Sequence, residues 1–92
     1  MIASEVGLGH RAITITVPDK YKGAFIMYTK IGGGTIPDEI VGADRLGSYS
    51  YYRANYTVVA LYYAPKSGTY VLPITSSNNV EIDGYTVLGI VN

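Results

Sequence analysis

The 92-residue chain contains no cysteine and no tryptophan, and only one histidine and one phenylalanine. Without cysteine there is no disulfide framework, no thiolate zinc site and no cysteine nucleophile. Charge is scarce as well: seven Lys and Arg stand against seven Asp and Glu, 15% of the chain, for a formal net charge of zero. A soluble domain ordinarily carries about 25% charged residues, so this surface is short of ions. No basic run supplies the phosphate neutralisation that nucleic-acid affinity requires, and nucleic acid is not an expected partner. The longest apolar run, Val58 to Ala64, falls far short of the roughly 20 residues of a membrane-spanning helix. No membrane partner is expected either. Met1 to Gly9 lacks the basic leader and apolar stretch of a secretion signal, so the chain is expected to remain where it is made.

What the chain does have is enough apolar material, 48% of its residues, for one compact domain and no second core. Residues 1–9, glycine-bearing and without a pattern, are expected to form a flexible arm, with a single β domain over 10–92. Ala12 to Val17 alternates Ile13, Ile15 and Val17 with threonines, the period of a half-buried strand. Pro18 to Gly23 reads as a polar turn. Ala24 to Lys30 is a second strand with Ala24, Ile26 and Tyr28 on one face and Phe25 and Met27 on the other. Neither face is polar, so either both are covered or one meets a partner.

Gly32-Gly33-Gly34 opens an irregular stretch to about Ser48, in which Pro37-Asp38-Glu39 suits at most one short helical turn near 36–42. Tyr51 to Ala64 reads as one long strand with a bulge or bend at Ala54-Asn55. Pro65 to Gly68 reads as the turn of a hairpin leading into Thr69–Thr75, with Pro73 marking a sheet edge. Asp83-Gly84, between Val80–Ile82 and Tyr85–Val91, matches the favoured pair of a two-residue hairpin. Six to seven strands and no helical period predict an all-β fold, a small two-layer β-sandwich or barrel of jelly-roll or immunoglobulin-like type.

No convergent catalytic set is visible. His10 stands alone beside Arg11, and the serines at 48, 50, 67, 76 and 77 lack a nucleophile-elbow pattern. Asp38, Glu39 and Asp44 share a loop without the spacing of a calcium loop. Gly32 to Thr35 is followed by no Lys-Ser/Thr and is no phosphate loop. Asn55-Tyr56-Thr57 has the form of a glycosylation acceptor but lies within a strand pattern. Neither catalytic residues, a metal nor a cofactor are therefore expected.

The distinctive feature is tyrosine: ten of the eleven aromatic residues, seven of them between positions 49 and 70. A phenol ring has an apolar body and a polar tip and is enriched at interfaces. The interior of so small a domain does not hold them all. Tyr49, Tyr51, Tyr52, Tyr56, Tyr62, Tyr63 and Tyr70, with Phe25 and Met27, are therefore the expected interface. Rings buried between subunits also explain the shortage of Lys and Glu, which interface cores disfavour. The expectation is a non-enzymatic structural protein that associates with itself, a trimer being the expected oligomer, or with a major structural protein such as a capsid protein. In composition and strand rhythm the chain resembles the small β-sandwich and jelly-roll domains of virus particles. That implies a minor virion component, a capsid decoration protein or a head or tail fibre domain. Two alternatives are a carbohydrate-binding module with exposed tyrosines as its platform, and an extracellular filament subunit joined by strand exchange. In these assembly readings Met1–Gly9 would lie across a neighbour, or the terminal strand Tyr85–Val91 would complete a neighbour's sheet.

Overall fold

A computed structural model describes residues 1–6, 13–32, 34–72 and 81–91. These form seven strands: β1 (Ala3–Val6), β2 (Ile13–Val17), β3 (Tyr21–Ile31), β4 (Asp44–Arg53), β5 (Asn55–Ala64), β6 (Gly68–Leu72) and β7 (Glu81–Val91). They build an all-β two-layer fold. One layer is a five-stranded antiparallel sheet in the order β1-β7-β3-β5-β4, and the other is the antiparallel pair β2-β6.

Alternation decides which face is buried. On the inner face of the large sheet, β3 supplies Ala24, Ile26 and Tyr28, β5 supplies Ala60, Tyr62 and Ala64, and β7 supplies Ile82 and Val87. Against them β2 presents Ile15 and Val17, and β6 presents Tyr70 and Leu72. Both strands of the small layer therefore show the strict period two of a one-sided sheet. Between β3 and β4 the chain crosses the same inner face as a strap, residues 34–43, and sets Ile40 into the core.

Several local expectations give way to the tertiary pairing. The bend placed at Ala54-Asn55 is a full reversal: Arg53 pairs with Asn55, and β4 and β5 form a hairpin. Ala54 makes the turn at a φ of 71°, a conformation that alanine adopts at a cost and that the sequence does not advertise. β4 begins at Asp44, so Ser48 and Ser50 are strand residues and not turn formers. Near 36–42, where at most one short helical turn is expected, none forms; the strap is irregular and ends in a turn at 41–42, closed by the Ala43 N–H to the Ile40 carbonyl. Pro65 to Gly68 does turn the chain, but β6 leaves β5 and pairs with β2, so the turn joins two layers and no hairpin follows.

Asp83-Gly84 also fails as a hairpin, because β7 runs unbroken through it. The pairing with β3 slips there, from Gly84 opposite Thr29 to Ile82 opposite Lys30, so Asp83 is the extra residue of a bulge. Residues Ala3–Val6 of the expected arm are a strand of this same sheet, paired with Val87–Gly84. On the side away from β3, β1 covers β7 over Gly84–Val87, so this stretch is already paired within the chain. His10, Pro73, Ser76 and Ser77 lie outside the described residues.

Gly89 shows how tightly the β1 side closes. A Cβ there would come 2.5 Å from the Tyr21 ring and 2.8 Å from Ile2, so only glycine admits the ring.

Adjacent positions on β6 test the layering. Leu72 is fully buried and Val71 is exposed. Leu72→Ala is expected to cost about 2–5 kcal/mol of unfolding free energy, and Val71→Ala within about 0.5 kcal/mol. Urea denaturation of the two variants measures both.

Candidate functional site

Two features of the large sheet stand out chemically: a polar cluster beneath the strap, and an apolar outer face that runs out to an open edge.

The cluster arises because the inner-face alternation of β3 continues from Ala24, Ile26 and Tyr28 to Lys30, which is only 2% exposed. A buried ammonium must be matched by charge and hydrogen bonds. Lys30 Nζ donates to the Ile36 carbonyl and lies 3.7 Å from Asp38 Oδ1. The Tyr28 and Tyr62 hydroxyls both donate to the Asp38 carbonyl, at 2.6 and 2.9 Å, while their rings stack with centroids 6.0 Å apart. Three side chains from two strands thus grip two carbonyls of the strap backbone, those of Ile36 and Asp38. Burial raises the Tyr28 phenol well above its ordinary range, reinforced by the neighbouring Tyr62 and Asp38. Tyr62 is raised by burial, and next by the negative charge of Glu39. The three loop acids do not converge. Asp38 turns inward to Lys30, Glu39 pairs with Arg45 at 3.6 Å, and Asp44 is exposed at the start of β4. Among the described residues no group of three potential metal ligands is assembled. The cluster is a clamp, its donors spent on backbone carbonyls.

The outer face is built from the other half of the same alternation. Phe25, Met27, Leu61 and Leu88 lie side by side in register across β7, β3 and β5, each between 37% and 50% exposed. Phe25 packs its ring 5.5 Å from that of Tyr63. Between Phe25 and Thr29 on β3, and opposite them on β5 and β7, this face bears no charged side chain. Beyond β5 comes β4, on which all ten residues are exposed. Among the described residues the strap touches it through the Glu39–Arg45 pair, and both its faces stay exposed. Tyr49 and Tyr51 project on the outer side with rings nearly parallel, 25° between planes and 6.3 Å between centroids. Tyr52 projects on the inner side and meets Tyr56 edge-on at 5.1 Å. Gly47, where a side chain would meet nothing, leaves a shallow apolar depression floored by Met27 and Leu61 and walled by Tyr49.

Of the nine residues read from the sequence as an interface, Tyr49, Tyr51, Tyr52, Tyr56, Phe25 and Met27 are exposed, and Tyr63 is half-buried on the same outer face. Tyr62 and Tyr70 do not join them. Both point inward and are buried, Tyr62 in the clamp and Tyr70 through a hydrogen bond from its hydroxyl to the Lys66 carbonyl. Sequence reasoning missed Lys30 and its two tyrosines as a unit. The signal was present: a lysine in phase with Ala24, Ile26 and Tyr28 is an anomaly on a face destined for the core. It also missed Leu61 and Leu88, which complete the outer face only once the β7-β3-β5 pairing is known.

No protein-family model, no curated protein and no solved structure matches the chain.

The clamp predicts alkaline lability. A phenol whose folded pKa is raised contributes stability below its unfolded value, near 10.0, and that stability is lost as pH rises above it. Unfolding free energy is therefore expected to fall above about pH 10. Tyr28→Phe is expected to lower stability at pH 7 by about 1 kcal/mol, through the lost hydrogen bond, and to flatten the alkaline decline. Chemical denaturation at pH 7, 9 and 11 measures both effects.

Proposed function

We propose that this protein is a non-enzymatic structural subunit that works by associating with copies of itself, using the outer face of its five-stranded sheet. One observation carries the reading: among the described residues no second layer covers an apolar sheet face centred on the exposed Phe25, Met27, Leu61 and Leu88. Contiguous exposed apolar surface marks interaction sites on soluble proteins, and its tyrosine margin and lack of charge match the composition of interface cores. The specific setting proposed is a virus particle, as a capsid decoration protein or a fibre domain seated against a major structural protein. The thiol-free, charge-poor composition supports that setting.

A second reading, carbohydrate recognition, is favoured by the parallel Tyr49 and Tyr51 rings beside the Gly47 depression. Flat apolar ring faces of this kind stack on pyranose rings.

The two readings separate in solution. Multi-angle light scattering at micromolar concentration is expected to return a mass above that of one chain. Leu61→Lys, a change at an exposed position, is expected to lower that mass while leaving far-UV circular dichroism unchanged. A monomeric wild-type chain retained on a glycan array, and released from it by Tyr49→Ala, would replace the assembly reading with the second one.

A further inference from the structure

The edge strand β4 is a second open feature of the large sheet, separate from its outer face. Edge strands offer a row of unpaired N–H and C=O groups, and natural sheets blunt them by shortness, proline, lysine or cover. The opposite edge, β1, is only four residues long. β4 has ten residues, no proline, no lysine and no cover on either face. Its single irregularity is a bulge at Leu46, between Arg45 and Gly47.

The backbone orientation of this edge follows from one hydrogen bond. The Gly32 N–H donates to the Tyr56 carbonyl at 2.7 Å, so Tyr56 turns its peptide groups toward β3. Its β4 partner Tyr52 therefore belongs to a non-hydrogen-bonded pair and directs its own N–H and C=O to the open side. By alternation Ser48 and Ser50 do the same.

The ends of β4 carry Asp44 and Arg53, which are in register with Tyr63 and Asn55 of β5. Neither takes part in an ion pair among the described residues. Counting the bulge, both lie on the outer side of the strand, at opposite ends. A strand with an acid at its start and a base at its finish is complementary to an antiparallel copy of itself.

We infer that β4 pairs antiparallel with β4 of a second copy about a twofold axis at Tyr49. The axis places Ser48 opposite Ser50 of the second copy, where both present N–H and C=O for exchange. It also places Asp44 opposite Arg53 of the second copy at each end. Moving the axis to Ser50 sets Arg53 against Gly47 and loses both charge pairs, so charge selects the register. The interface is isologous and closes on itself, which makes two copies and not three the basic unit. The two sheets become one continuous ten-stranded sheet with the apolar outer faces on the same side. This inference rests on the assembly reading and adds the partner and geometry of a second contact.

The test uses Ser50→Pro, which removes a donor on the open side only and leaves the β4-β5 ladder its bonds. Leu61→Lys is the background that disables the outer face. Sedimentation velocity across micromolar concentrations is expected to show the Leu61→Lys protein as a dimer. Adding Ser50→Pro is expected to weaken that dimer at least about tenfold, with circular dichroism unchanged. Asp44→Arg in the same background is expected to weaken it by on the order of fivefold. Asp44→Arg with Arg53→Asp is expected to restore it, an outcome that loss of folding cannot imitate. A Leu61→Lys protein that is already monomeric, or a dimer indifferent to Ser50→Pro and to the charge swap, overturns the edge pairing and leaves the outer-face reading standing. A wild-type chain that is monomeric throughout overturns both.

Discussion

A β-sheet has two faces, and the described residues of this chain cover one of them. The inner face of the five-stranded sheet receives the β2-β6 pair, the strap and its anchor Ile40, and there every large apolar side chain goes to low exposure. Among the described residues nothing covers the outer face, although Phe25, Met27, Leu61 and Leu88 make it apolar at its centre. One-sided burial with two apolar faces organises the whole molecule. It explains why charge is so sparse and why tyrosine, which tolerates half-burial, stands at the margin in place of lysine and glutamate. A folded chain is marginally stable even with its core complete, and apolar area left in water is free energy available to association.

The clamp beneath the strap is the second consequence of the same constraint. Two strands and a strap close the inner face at the β5 side, where there is no further strand to do so. An irregular strap has backbone carbonyls that no ladder satisfies, and these must find donors when covered. Tyr28, Tyr62 and Lys30 supply them from below. The buried polar groups therefore fix the position of the strap, and the strap in turn lets Tyr62 and Val58 reach full burial. The strap reaches β4 through the Glu39–Arg45 pair, and the side chains of β4 stay exposed on both sides.

Much of this was legible in the sequence, because period-two alternation is a local property that burial enforces directly. The inner positions Ile15 and Val17, the division of β3 into Ala24, Ile26, Tyr28 against Phe25, Met27, and the two faces of β5 all follow from it. What escaped was pairing. Asp83-Gly84 has the chemistry of a tight turn, yet the same conformational freedom serves a bulge, and only the long partner β3 decides between them. Pro65 to Gly68 turns the chain without saying whether the next strand returns to the same sheet or crosses to the other. Ala54 reverses the chain with no turn residue at all, so β4 was merged with β5 and its open edge stayed hidden. The exposed tyrosines were identified by number and composition, while Tyr62 and Tyr70 were misassigned because a phenol reads alike in a core and at an interface. Lys30 was visible as a period violation, but a lysine at a strand end is ordinarily solvated, and only the strap makes it internal.

The central claim is that the outer face is covered by protein when the molecule works, and Met27 reports on it directly. Met27 is 46% exposed at the centre of that face, while Met1, 77% exposed at the start of the chain, serves as the internal reference. The decisive measurement is the rate of mild peroxide oxidation of the two methionines, followed by peptide mass spectrometry as protein concentration rises. The account predicts that Met27 becomes protected with increasing concentration while Met1 does not. Equal oxidation of Met27 at every concentration would contradict it.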